Sequence, residues 1–219
     1  MPLRVIGGSL GGRTLKGPLR TGVRPTSDRV REALFEILAA RGAPMRRVLD
    51  LYSGTGALGI EAMSRGGEYC DFVEADSKAC EVIRDNLRRT GLLDRTKLWP
   101  LTVARALPRL VGGGDGQTGR RAGGQADIAV DEAIPEGGAG DGTGGEAYDL
   151  VVADPPYEYD RAEAELALVV GMGLLAQGGT LVVEHSQRKQ WPESFAGLEQ
   201  LTSRRYGDTR ITLYTREPS

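Results

Sequence analysis

The sequence of 219 residues is 40% hydrophobic and 26% charged, which is the composition of a globular protein with one core domain. Its two cysteines, Cys70 and Cys80, lack CxxC spacing, so we expect neither a structural disulfide nor a bound metal ion. No signal-peptide pattern and no membrane-spanning apolar run is present, which disfavours secreted and membrane proteins and predicts a cytoplasmic one.

The formal net charge of −2 conceals an uneven distribution of charge along the chain. Residues 1–31 carry seven basic side chains and one acid, whereas residues 112–147 carry seven acids and two arginines. Phosphate contact depends on local charge, so the first segment is a candidate for binding nucleic acid despite the acidic average.

The chain begins with short β-like pieces separated by glycine pairs, which predicts a small β-hairpin arm over residues 1–24. A helix is predicted to follow directly. Thr26 or Ser27 can cap its first turn, where the acidic side chain of Asp28 suits the helix dipole.

Predicted strands and helices then alternate up to about residue 184. The strands cover residues 48–52, 70–74, 96–101, 149–153 and 181–184, and the helices cover residues 57–65, 77–90, 103–110 and 160–174. Such alternation indicates a parallel sheet with helices on both faces. Two last strands, 201–206 and 210–216, predict an antiparallel hairpin. Residues 25–219 are therefore expected to form one α/β, Rossmann-like domain around a mostly parallel, seven-stranded sheet.

The segment 112–147 interrupts this alternation. Thirteen of its 36 residues are glycine, and its apolar residues have no period. A segment that cannot bury apolar side chains gains too little to offset the entropy lost on ordering. We therefore expect a disordered surface loop inserted before the fourth strand.

The first motif that indicates chemistry runs from Asp50 to Gly59, after the first predicted strand. Its glycines allow a sharp turn and a close approach to a ligand. The glycine spacing also fits a dinucleotide fingerprint, but the Asp50 carboxylate would repel a pyrophosphate and suits the cationic end of S-adenosylmethionine. Glu74, ending the second strand, is placed to accept hydrogen bonds from ribose hydroxyls. The residues expected to bind S-adenosylmethionine are Asp50, Tyr52, Ser53, Gly54, Gly56 and Glu74.

The second motif, Asp154-Pro155-Pro156-Tyr157, directly follows the fourth predicted strand. A doubly wound sheet would bring it beside the glycine turn, at the edge where ligands bind. An exocyclic amine on a base is a poor nucleophile because its lone pair is conjugated into the ring. The Asp154 carboxylate and a backbone carbonyl can accept its two N–H groups, the prolines stiffen the turn, and Tyr157 offers a flat face to an unstacked base. We predict that these four residues are catalytic in methylation of such an amine.

Several stretches of the chain, RVIGG at 4–8, GR at 12–13, RPTSDRVREALF at 24–35 and YGDT at 206–209, together with the two motifs, resemble the RsmD family. These are bacterial class I methyltransferases of guanine N2 in 16S ribosomal RNA. The resemblance implies that fold, that activity, and 16S ribosomal RNA or a small-subunit assembly particle as partner; we expect a monomer. The DPPY signature also occurs in adenine-N6 and cytosine-N4 enzymes, so it indicates amine chemistry without fixing the base.

The basic arm gives the candidates for RNA contact, because guanidinium groups bind phosphates and stack on bases. These candidates are Arg4, Arg13, Arg24 and Arg29. Arg31 points to another face of the predicted helix than Arg29 and could equally lie on a solvated face.

Two other functions stay open at this point. A DNA adenine-N6 methyltransferase could use the same four residues, and an RNA-binding assembly factor could carry a vestigial site. The only histidine, His185, follows the fifth strand and is expected to be structural or exposed, and not a catalytic base.

Deleting residues 112–147, with the ends joined by a short turn, is expected to leave fold and methyl transfer largely intact. A flexible insertion adds only a slowly growing closure entropy, so its removal should be neutral or slightly stabilising. Thermal unfolding and transfer assays on both chains test this, and a large fall in melting temperature would show that the segment packs.

Overall fold

The structure is a computed structural model that describes residues 2–18, 27–112, 146–157 and 159–216. The predicted RNA contact Arg24 lies outside these residues, as does nearly all of the predicted insertion. No helix in the described ranges is both long and apolar enough to cross a lipid bilayer.

The described residues form five α-helices and eight strands. The helices are Asp28–Ala40 (α1), Ala57–Ser64 (α2), Ser77–Thr90 (α3), Val103–Val111 (α4) and Ala162–Gly171 (α5). The strands are Arg47–Leu51 (β1), Tyr69–Val73 (β2), Thr96–Trp99 (β3), Tyr148–Ala153 (β4), Leu175–Ser186 (β5), Ser194–Phe195 (β6), Leu198–Tyr206 (β7) and Thr209–Thr215 (β8). They form one sheet in the order β3-β2-β1-β4-β5-β8-β7-β6, in which β1 to β5 are parallel.

The predicted fold class is confirmed, including the closing antiparallel hairpin of β7 and β8. The described sheet has eight strands instead of seven, because the two-residue strand β6 pairs with the outer edge of β7. A pair of residues is too short to show the alternation that identifies a strand in sequence. Strand β5 also begins at Leu175, six residues before the predicted start.

The sheet lies between two hydrophobic cores, since successive strand residues point to opposite faces. Val48 of β1 packs in one core with α1, α2 and α3, and its neighbour Leu49 packs in the other with α4 and α5. Both faces of β1 are therefore covered, which explains why its residues from Val48 to Leu51 are all buried.

The arm packs on the first of these cores. Arg4 and Thr14 form an antiparallel bridge, and Val5 and Leu15 are buried, which confirms the predicted small hairpin. The carboxylate of Glu61, on α2, is fully buried and accepts hydrogen bonds from the backbone N–H groups of Ile6 and Gly7 at 2.7 and 2.8 Å. Buried polar contacts therefore fix the hairpin to the domain.

A side-chain amide on α3 makes a second link to the arm. The Asn86 Oδ1 accepts from the Lys16 N–H at 2.7 Å, and its Nδ2 donates to the Lys16 carbonyl at 3.1 Å. The same Nδ2 donates to the Thr55 carbonyl, in the glycine turn after β1, at 2.9 Å. One fully buried side chain thus touches both the arm and the turn.

Arg31 lies in the interior and not on a solvated helix face. It is fully buried, and its Nη2 donates to the Arg4 carbonyl at 2.8 Å and to the Asp28 carboxylate at 2.7 Å. The sequence could not reveal this because the partner carbonyl comes from the arm, 27 residues earlier in the chain.

Replacing Glu61 with alanine should lower the free energy of unfolding by about 3 kcal/mol, because two backbone N–H groups and the Arg65 guanidinium would lose their buried acceptor. Urea unfolding measures the change. The matched control is Glu68→Ala, which removes an exposed partner of Arg46 and should cost less than about 0.5 kcal/mol. Equal losses in the two variants would contradict this account of how the arm is held.

Candidate active site

The site is built where three parallel strands end at one level. Leu51 at the end of β1 pairs with Val73 of β2 on one side and with Ala153 of β4 on the other. Because β1 continues in sequence to β2 but also pairs with β4, this is the point where the strand order reverses. Ligands of doubly wound sheets bind outside the carboxyl ends of the strands at such a point.

The glycine turn after β1 has the backbone conformation that its sequence predicted. Gly54 and Gly56 have φ angles of 56° and 75°, in the left-handed region that favours glycine. A Cβ on Gly56 would lie 3.3 Å from the Phe72 ring, so the turn approaches β2 closely. The hydroxyl of Ser53 donates to the Asp50 carbonyl at 2.6 Å and fixes the start of the turn.

Asp50 is buried beneath the glycine turn and connects it to α2. Its side chain is 1% exposed, and Oδ2 accepts from the backbone N–H of Gly59, in the first turn of α2, at 2.9 Å. A Cβ on Gly59 would come within 2.5 Å of Phe72 and 2.9 Å of the Asp50 carboxylate, so only glycine allows this approach. Sequence reasoning gave Asp50 a direct role with a ligand, whereas its contact here is with a helix N-terminus.

Glu74 lies at the end of β2 and is half-buried. One carboxylate oxygen accepts from the Gly54 N–H and the other from the Asp76 N–H, both at 2.8 Å. A carboxylate has about four acceptor positions, so two backbone contacts leave capacity for a ligand's hydroxyl groups.

Acidic side chains converge on this edge of the sheet. Burial raises the pKa of Asp50 well above its ordinary value; the Gly59 hydrogen bond opposes the rise, and the carboxylates of Asp154 and Glu74 add to it. Carboxylates that disfavour one another's ionisation favour a cation among them. These carboxylates accept hydrogen bonds, so their chemistry fits an organic cation whose amino group can donate to them. Across the described ranges, acids, histidines and cysteines form no group suited to a metal ion.

The loop after β4 carries the four predicted catalytic residues. Asp154 is half-buried directly beside the end of β1, Pro155 is buried, and Pro156 is exposed. Tyr157 is 50% exposed, a high value for an aromatic ring, and its hydroxyl lies 2.6 Å from the Thr209 hydroxyl of β8. The structure therefore brings this loop, the glycine turn and the end of the hairpin together.

Sequence reasoning missed a buried carboxylate that joins the glycine turn to the chain just after the second motif. Glu165 of α5 is 5% exposed and accepts hydrogen bonds from the hydroxyls of Tyr52 at 2.5 Å and Tyr159 at 2.8 Å. Burial raises the pKa of the Tyr52 phenol, and the hydrogen bond to Glu165 raises it further. The available signal was an acid on the apolar face of α5, one residue before the buried Leu166.

His185 is buried and hydrogen-bonded, in keeping with a structural role. Its Nδ1 lies 2.9 Å from the Ser186 carbonyl, and its Nε2 lies 2.9 Å from the Thr212 hydroxyl. The carbonyl can only accept, so Nδ1 carries the proton and Nε2 accepts from Thr212. Burial lowers the pKa of His185, which keeps the ring neutral at pH 7.

The described RNA-contact candidates differ in their surroundings. Arg4 is exposed and pairs with Asp28 at 3.3 Å, while Arg29 is exposed near the start of α1. Helix α3 begins at the edge of the sheet that holds the site and runs away from it. Arg13 donates to the Arg89 carbonyl in the last turn of this helix. Arg13 therefore lies towards the opposite edge.

Comparison with known proteins places the chain. The family model described as conserved hypothetical protein 95 matches residues 3–116 and 137–215, leaving out the centre of the glycine-rich insertion. YlbH of Bacillus subtilis (strain 168), provisionally named an rRNA methyltransferase, is 31% identical over 97% of this chain and 98% of its own length. Ribosomal RNA small subunit methyltransferase D of Escherichia coli (strain K12) is 42% identical over 39% of this chain and 42% of its own length.

Solved structures agree with these relatives. A hypothetical protein of Thermus thermophilus has a TM-score of 0.72 and 29% identity, covering 97% of this chain and 99% of its own. The yhhF protein of Escherichia coli, titled a methyltransferase, has a TM-score of 0.72 and 27% identity over the full length of both chains. The match of the family model over most of the sequence, including both motifs, establishes that this chain belongs to the RsmD family of class I methyltransferases.

Proposed function

We propose that this protein transfers a methyl group from S-adenosylmethionine to the exocyclic N2 of a guanine in 16S ribosomal RNA. The observation that carries the proposal is the junction of the glycine turn with the Asp154–Tyr157 loop at the ends of β1 and β4. The relative named ribosomal RNA small subunit methyltransferase D supports the choice of substrate.

The chemistry of the site fits S-adenosylmethionine. Its sulfonium and amino groups are cations, and Asp50, Glu74 and Asp154 make this edge of the sheet acidic. Glu74 would hold the ribose hydroxyls, and the bare backbone at Gly54 and Gly56 would allow close contact. When bound, this cofactor supplies an electrophilic methyl group.

The chain's own residues would position the nucleophile. The Asp154 carboxylate and the Pro155 carbonyl accept the two N–H groups of the amine, which directs its lone pair towards the methyl group. The exposed ring of Tyr157 stacks on the base. Asp154 would also accept the proton that the amine loses on methylation, and most of the rate acceleration would come from orientation.

Transfer of radiolabel from the cofactor to naked 16S ribosomal RNA, assembled small subunits and DNA separates this function from its alternatives. Labelled N2-methylguanine in RNA is expected. Labelled N6-methyladenine in DNA would instead identify a DNA enzyme, and RNA binding without label in any substrate would identify an assembly factor.

Replacing Asp154 with alanine should reduce kcat by about a hundredfold or more while cofactor affinity changes little, because the side chain is assigned to the amine. Single-turnover transfer and calorimetric titration measure the two quantities. Asp160→Ala, which removes an exposed acid six residues later, is the matched control and should transfer normally. Wild-type turnover in Asp154→Ala would remove this residue from the mechanism.

Replacing Glu74 with alanine should weaken S-adenosylmethionine binding by about 1–3 kcal/mol, because hydrogen bonds to the ribose are lost. Calorimetric titration provides the measurement, with Glu68→Ala as a control at an exposed acid near the start of β2. Unchanged affinity, or tight binding of a nicotinamide dinucleotide by the wild type, would overturn the cofactor assignment.

A further inference from the structure

A group of basic side chains lies beside the catalytic loop but has no part in the mechanism above. It comprises Lys189, Arg205 and Arg210, which we call the hairpin cluster. Lys189 follows β5 and lines the same cleft as Pro155 and Tyr157. Arg205 and Arg210 belong to the ends of β7 and β8 that are joined by the hairpin turn.

The register of the sheet places the two arginines of the cluster on one face. Arg210 lies directly opposite Arg205 of β7 and directly opposite His185 of β5. Residues directly opposite one another point to the same side of a sheet. Arg210 and Lys189 both lower the pKa of His185 electrostatically, which is a further sign that their charges lie close to this ring.

This arrangement of positive charges lowers the stability of the folded protein. Like charges that lie directly opposite one another in adjacent strands destabilise a sheet. Among the described residues, none of the three cluster members forms an ion pair. The acid in the turn between β7 and β8 is Asp208, which accepts a hydrogen bond from Gln187. Uncompensated repulsion of this kind is typical of a binding surface.

Arg210 is also held in place by a chain of hydrogen bonds. Its Nη1 donates to the Ser203 hydroxyl at 3.1 Å, and the Ser203 and Thr212 hydroxyls lie 2.9 Å apart. Since Thr212 donates to His185, Ser203 must donate to Thr212, and every bond in the chain runs in one direction. The buried histidine therefore orients a half-buried arginine, whose remaining N–H groups can serve a ligand.

The cluster lies at the same end of the hairpin as the residue assigned to stack on the base. Thr209, the neighbour of Arg210, lies within hydrogen-bond distance of the Tyr157 hydroxyl. A base stacked on the exposed Tyr157 ring would bring its own phosphodiester backbone past this end of the hairpin. Guanidinium groups bind phosphate oxygens through paired, charge-assisted hydrogen bonds.

We propose that the hairpin cluster binds the RNA phosphodiester backbone next to the methylated guanine. The inference rests on the proposed function and extends it, because it assigns substrate binding to the face of the sheet opposite the arm. The arm packs on the core of α1 to α3, whereas the His185 ring lies 5.8 Å from the ring of Trp191, which belongs to the core of α4 and α5.

The test compares the wild type with Arg205→Gln/Arg210→Gln. Loss of two phosphate contacts should reduce the slope of log affinity against log salt for naked 16S ribosomal RNA by roughly 1.4–1.8. The same loss should raise KM for that RNA on the order of tenfold near physiological salt. The double variant should keep kcat within about twofold and bind S-adenosylmethionine as before, because neither Arg205 nor Arg210 lies in the glycine turn or the catalytic loop. Removing the repulsion should also leave the melting temperature unchanged or higher.

The matched control is Arg46→Gln/Arg109→Gln, which removes the same charge at two exposed positions near the opposite edge of the sheet. It should change neither the salt slope nor KM. Equal slopes and KM values for wild type and hairpin variant would overturn the inference, as would equal losses in the hairpin and control variants. Absence of transfer to any ribosomal RNA by the wild type would instead contradict the proposed function, and the salt slopes would still decide whether the cluster binds phosphate.

Discussion

The contact between the Asp50 carboxylate and the backbone N–H of Gly59 determines the geometry of the whole site. It joins the end of β1 to the first turn of α2. The two elements can come this close because Gly59 has no Cβ, which would collide with Phe72 and the Asp50 carboxylate. The glycine turn is the chain between these two anchors, so its shape follows from their separation. The contact also offsets part of the cost of burying a carboxylate among two others, since a helix N-terminus favours negative charge.

Much of the site could be predicted because its residues adjoin strand ends. Once β1, β2 and β4 are recognised as parallel neighbours, the residues after them must meet at one edge. Glu165 and Arg31 could not be recognised in this way, because neither follows a strand end and each has one partner far away in the sequence, 113 residues from Glu165 and 27 residues from Arg31. Strand β6 was missed for a different reason, since two residues carry no periodicity.

The two basic regions differ in what holds them. Arg4 of the arm and Arg31 of α1 both pair with Asp28, and Lys16 of the arm pairs with Asp85, so part of the arm's charge serves to attach the hairpin to α1 and α3. Counting charges along the sequence therefore overstates what the arm has to offer a polyanion. The hairpin cluster contributes fewer charges, but in the described structure they are not neutralised by acidic partners. Local charge along a chain and local charge on a surface are different quantities, and only the second governs binding.

The Asn86 side chain has a thermodynamic consequence. Its amide satisfies all of its hydrogen-bonding groups on two backbones, that of Lys16 in the arm and that of Thr55 in the glycine turn. Neither backbone can shift without breaking or dragging a bond to the other, so the conformational freedom of the arm and that of the turn are not independent. A change in one backbone is therefore transmitted to the other, and any resulting coupling between binding at the arm and binding at the turn is equal in both directions. A single buried asparagine thus links the peripheral hairpin directly to the glycine turn at the centre of the sheet.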